Sequence, residues 1–147
     1  MGGAEPSVAL HLDGWLDVVD GAEVSAPAAS HGALLTERYE RLGEAFLDRI
    51  EGRFALVLED RARRRAILAR DGLGHQGLAY VLDRERFLAA ADPADLVGRE
   101  GVGDCLDPVR LAEFFASEEL SGPRTVFEGV RAVLPGEVLV VEAEREG

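Results

Sequence analysis

The chain contains no lysine and no asparagine. Without lysine there is no Schiff-base amine and no phosphate-loop ammonium. Without asparagine, no side-chain amide of that residue can donate to an oxyanion. The single cysteine, Cys105, excludes an internal disulfide and a cysteine-cluster metal site. No apolar run approaches membrane-spanning length. The opening Met-Gly-Gly-Ala-Glu-Pro-Ser lacks the basic and apolar regions of a signal peptide, and Pro6 stands where a myristoylation motif wants serine or threonine. These absences point to a cytoplasmic protein with no membrane partner.

The composition that remains is globular. The 147 residues are 47% hydrophobic and 30% charged. That length fits one domain over residues 1–147, able to bury roughly two thirds of its unfolded surface. Residues 1–7 read as a disordered leader and 142–147 as a charged tail. Sixteen basic residues, all arginine, face 28 acidic ones, for a net charge of −12. Such a surface repels phosphates, which argues against a nucleic-acid partner.

Apolar periodicity outlines the elements. Val8 to Leu12 alternates as a strand, Asp13-Gly14 reads as a turn, and Trp15 to Val19 is a second, ambiguous run. Ser30 is placed to cap a helix reaching about Leu42, with Leu35, Tyr39 and Leu42 as its apolar stripe; Gly43 stops it. A second helical piece follows, with Phe46, Leu47 and Ile50 inward. Arg53 to Leu58 and Ala66 to Ala69, joined by the charged turn Asp60 to Arg64, predict a hairpin buried on both faces. Leu78 to Leu82 and Phe87 to Ala91 predict a second one. Asp92-Pro93 starts one helical turn. Asp107-Pro108 starts a helix, with a capping carboxylate and proline at its first position. Its apolar face carries Leu111, Phe114 and Phe115, and the aromatics Phe54, Tyr80, Phe87, Phe114 and Phe115 read as core. Glu137 to Val141 closes the chain as a strand.

The order of these pieces resembles one family. Gly52-Arg-Phe-Ala55, Asp60, Leu68-Ala-Arg-Asp71, Gly74, Leu78 and Tyr80 follow its run G-x-F-A-x-x-x-x-D, then L-A-R-D-x-x-G-x-x-P-L-x-Y. Leu106-Asp-Pro108, Gly122-Pro-Arg-Thr125, Phe127, Gly129-Val130 and Leu134-Pro-Gly136 follow its closing stretch, with Gly77 and Leu134 in place of prolines. This is the glutaminase half of asparagine synthetase-like proteins, the class II glutamine amidotransferases. The resemblance spans about Leu10 to Val141. It implies an N-terminal-nucleophile hydrolase fold: an α+β, four-layer αββα sandwich of two mainly antiparallel sheets, here N-terminally truncated.

The chemistry transfers badly. The family's nucleophile is a cysteine directly after the initiator methionine, and here that position is Gly2. Cys105 is mid-chain and offers no α-amine. The oxyanion donor is an asparagine followed by glycine, which here becomes Asp13-Gly14. A carboxylate repels an oxyanion, although Asp13 also suits a turn. The aspartate that holds the substrate ammonium is replaced by His31, read alternatively as a solvated residue at a helix start. The segment carrying the arginine clamp for the substrate carboxylate is missing, and so is the S-G-G-x-D-S pyrophosphate loop of the ATP-using half. The catalytic residues are therefore expected to be none, and the vestigial pocket to comprise Asp13, Gly14, Trp15 and His31. Trp15 either fills the vacated pocket or serves an interface.

Other constellations carry less. His11 and Asp13 lack the i,i+4 spacing of a metal pair, so no metal and no cofactor are expected. His75-Gln76 reads as a loop. The basic cluster from Arg61 to Arg65 reads as a hairpin tip balanced by neighbours such as Glu59. The missing leading strands leave an edge or an apolar face to be covered.

The resulting expectation is a non-hydrolysing glutaminase-like module. It would play a structural or partner-binding role beside an ATP-dependent amide-forming synthetase, as in β-lactam synthetases or lasso-peptide cyclases. Its protein partner would be a synthetase-type domain or a second copy. Two alternatives stay open: a peptide or small-ligand binding accessory that reuses the pocket, and a fragment of an active glutamine-hydrolysing asparagine synthetase.

Overall fold

A computed structural model describes residues 7–25, 27–84 and 86–143; Gly2 and most of the expected leader and tail lie outside them. Two antiparallel sheets pack face to face in an α+β sandwich. The first runs β2-β1-β3-β4-β8, built from β1 (Val8–Val19), β2 (Ala22–Glu23), β3 (Ile50–Asp60), β4 (Arg65–Arg70) and β8 (Val138–Glu142). The second runs β6-β5-β7, from β5 (Ala79–Leu82), β6 (Phe87–Ala90) and β7 (Arg131–Ala132).

The core follows from which side chains each strand turns to which layer. Helix α1 (His31–Leu42) lays Leu35 and Tyr39 on the outer face of the first sheet, against Leu16, Phe54, Leu56, Leu58 and Ile67. The 3-10 segment Gly43–Arg49 adds Phe46 there. Between the sheets, Ala55, Leu68, Leu78 and Val133 form a second cluster. Every residue of β4 from Ala66 to Ala69 is buried, as a strand covered on both faces must be. The outer face of the second sheet is closed by Leu96, Val102 and Val130 over Ala79 and Val81. No described helix is long and apolar enough to cross a membrane.

Four local expectations change. Asp13-Gly14 is not a turn: β1 continues through it and pairs with β3 from Val8 to Val19, with one irregularity at Asp17. Gly14 takes φ +97° opposite Phe54, so the dipeptide bends the strand instead of reversing it. Ser30 makes no side-chain cap, because the turn Ala28–Ser30 feeds straight into α1 and leaves its backbone in the helical region. The hairpin tip is balanced by Asp60 rather than Glu59: its buried carboxylate accepts from Arg63, while Arg65 pairs with Glu44. Helix α2 (Pro108–Ser117) starts as expected, with Asp107 accepting from the amides of Val109 and Arg110, but it buries no residue. Phe114 is 44% and Phe115 80% exposed, so these two are not core. Helical spacing identifies an apolar face without saying that anything lies on it.

Candidate functional site

The two sheets differ in width, and the site arises from that difference. The second sheet stops at β6, while the first continues past it to β1. A cleft of about 500 Å³ opens there, lined by His11, Asp13 and Glu59 and floored by Ala55 and Val57, with the β6 side from Phe87 to Ala91 as its wall. The β1–β3 register explains the set. Asp13 lies opposite Ala55 and His11 opposite Val57, so all four share the face turned toward the second sheet. Leu10 and Leu12 point the other way, into the α1 core.

Of the four expected pocket residues, only Asp13 lines this cleft. Gly14 lies against the Arg53 carbonyl and Gln76. Trp15 is 41% exposed and carries the Arg53 guanidinium 5.1 Å from its ring centre. It does not fill the cleft. His31 is not solvated but buried, and its Nδ1 accepts the Leu16 backbone N–H at 3.2 Å. A nitrogen that accepts carries no proton, so this ring bears its hydrogen on Nε2. The first residue of α1 thus accepts from a β1 amide on the helix side of the first sheet.

His11 and Glu59 join Asp13 in the cleft, although the sequence weighs His11 with Asp13 only as a metal pair and reads Glu59 only as a neighbour of the basic hairpin tip. The shared face of His11 and Asp13 is written in the sequence. Ala9, His11, Asp13 and Trp15 alternate with Leu10, Leu12 and Leu16, a period of two broken only at Gly14. Among the described residues, no group of three or more His, Cys, Asp or Glu stands where it could hold a metal.

The loop after β4 borders the β5 end of the cleft and is rigidly built. Arg70 donates to the carbonyls of Gln76, Val133 and Gly74, the last two at 2.9 and 2.8 Å. The Asp71 carboxylate accepts from the amides of Leu73 and His75 at 3.0 Å, and pairs with His75 Nδ1 at 2.8 Å. Burial alone would raise the Asp71 carboxyl, but the His75 ring and the two amides outweigh it and hold it below the ordinary value. The His75 ring is 37% exposed and the two amides remain without it. His75→Ala is therefore expected to cost only about 1 kcal/mol, read as a small drop in the urea midpoint.

The chain is 32% identical over 111 residues to amidase chry2 of Gibberella zeae, a match covering 74% of this chain and 16% of that protein. It is 30% identical over 103 residues to amidase chyE of Penicillium rubens, covering 69% and 15%. The chain thus spans a small part of the length of these relatives. Residues 21–146 match the model of the glutamine amidotransferase domain, from the β1–β2 turn to beyond β8. The chain belongs to the glutamine amidotransferase domain family.

Proposed function

We propose that this is a catalytically silent glutamine amidotransferase-like domain. It serves as a structural or partner-binding module of a cytoplasmic, asparagine synthetase-like system that forms amide bonds with ATP. Asp13 carries the reading. Where an asparagine amide would donate to the developing oxyanion, the cleft presents a carboxylate that only accepts and repels negative charge. His31 supports it. At the position of the ammonium-holding carboxylate stands a buried imidazole whose Nδ1 is already taken by a backbone amide. The relatives are named amidases, which fits an amide-centred system. The partner is a synthetase-type domain or a second copy of the chain.

The purified chain, incubated with glutamine, is expected to release no ammonia above a buffer blank. Asp13→Asn is expected to leave it silent, because an oxyanion donor without a nucleophile does not start the reaction. Ammonia well above the blank from the unmodified chain would sink the proposal.

A second reading is favoured by one observation. The cleft lies between the β1–β3 face and the outer edge of β6, which among the described residues carries no further strand, and this suits an accessory module that holds a peptide or small ligand in the old pocket.

A further inference from the structure

Sheet edges in natural proteins are usually blunted by charge, proline or a bulge, because an open row of amides and carbonyls templates another strand. The outer edge of β6 has none of these. Its sequence is Phe87-Leu-Ala-Ala90, among the described residues it pairs only with β5, and it forms the wall of the cleft. A strand added to β6 would widen the second sheet over the part of the first sheet that it leaves uncovered. Its alternate side chains would then face the floor formed by β1 and β3.

The floor says what those side chains should be. Ala55 and Val57 are small and apolar, and they join the inter-sheet cluster at its margin. Asp13 stands opposite Ala55 at one end; Glu59, opposite Ala9, stands four residues along β3 from Ala55 at the other. At about 3.3 Å per residue, the two carboxylates are roughly 13 Å apart along the strand. Among the described residues, neither carboxylate has a hydrogen-bond or ion-pair partner. The Arg53 guanidinium lies over Trp15, and neither residue lines the cleft.

We infer that the β6 edge and the Asp13–Glu59 floor form a docking groove for an extended basic peptide strand. It pairs its backbone with β6 and places a small apolar residue over Ala55 and Val57. Cationic residues two positions before and two after it meet Asp13 and Glu59. This rests on the cleft-binding reading above and names its ligand class.

The probe is a blocked peptide, Arg-Thr-Val-Thr-Arg, titrated calorimetrically into the full chain. Two controls accompany it: the same peptide with glutamate for arginine, and the arginine peptide N-methylated at alternate positions. The arginine peptide is expected to bind, the glutamate one not to, and N-methylation on the residues facing β6 to abolish binding. The double variant Asp13→Asn, Glu59→Gln should weaken binding at least about tenfold with an unchanged thermal midpoint, since neither side chain is core. Equal binding of the glutamate peptide, or binding indifferent to the double variant and to N-methylation, overturns this inference while leaving a binding cleft. No binding by any of the peptides overturns both the inference and the cleft-binding reading, and leaves the scaffold.

Discussion

Asp60→Ala is expected to lower stability by about 3 kcal/mol, seen as a drop of roughly 10 °C in the thermal midpoint followed by circular dichroism. Asp60 ends β3 with its side chain wholly buried. Its carboxylate accepts the Tyr39 hydroxyl at 2.7 Å, the Arg63 backbone amide at 2.9 Å and the Arg63 guanidinium at 2.6 Å. Tyr39 in turn accepts from Arg65 Nε at 3.0 Å and meets Phe46 edge-on at 5.9 Å. One carboxylate therefore joins α1, the end of β3 and the turn into β4. Alanine leaves a buried hydroxyl without its acceptor and a void beside the ring. Tyr39→Phe removes one donor and leaves the Arg63 contacts, so its cost should be smaller, about 1–2 kcal/mol. If the tyrosine variant is the less stable of the two, the carboxylate is not the centre of this network.

The same group sets part of the acid limit. Burial would raise the Asp60 carboxyl, but hydrogen bonds from the Arg63 guanidinium, the Tyr39 hydroxyl and the Arg63 amide prevail and hold it below the ordinary value. A carboxyl depressed in the folded state binds fewer protons there than in the unfolded chain. Its stabilisation is complete above the unfolded value of about 4 and fades as pH falls through the folded one. Asp71 and Asp107 are shifted the same way, and Glu113 is pulled down to about 2 by Ser121 and Arg110. The acid loss is thus shared. Urea midpoints between neutral pH and pH 3 should fall less steeply for Asp60→Asn than for the unmodified chain, and that difference isolates the Asp60 part.

Features set by neighbours in sequence were legible in the chain. The Asp107-Pro108 helix start, both hairpins and the doubly buried β4 each depend on residues a few positions apart. What was misjudged depends on partners far along the chain. Asp13-Gly14 carries a local turn signal, and pairing with β3, some forty residues on, overrides it. His31 reads as a surface residue until the Leu16 amide is brought to it. The apolar face of α2 is plain in the sequence, yet whether a layer covers Phe114 and Phe115 is a matter of topology. The site divides in the same way. The period of two along β1 puts Asp13 on one face with His11, but its tie to the oxyanion position came only from its place in a family motif. The cleft itself exists because one sheet is wider than the other, and no stretch of sequence encodes that width locally.

Gly14→Ala tests what the retained glycine of that motif does. At φ +97° the residue occupies a region L side chains avoid, and an added Cβ would lie 1.9 Å from the Arg53 carbonyl oxygen. Relief requires β1 and β3 to separate beside the cleft. The expected loss is about 3–4 kcal/mol, measured by urea unfolding. Gly21 supplies the control. It also has positive φ, +78°, but nothing stands within 4 Å of its Cβ position, so Gly21→Ala should cost only about 1 kcal/mol. The gap between the two variants measures the close approach of the strands alone. If both cost the same, contact with Arg53 does not constrain β1. If Gly14→Ala is the more costly, glycine is required here by the packing of β1 on β3, whether or not an oxyanion was ever bound beside it. Its presence is then no evidence of glutamine hydrolysis, and the functional argument returns to the carboxylate of Asp13.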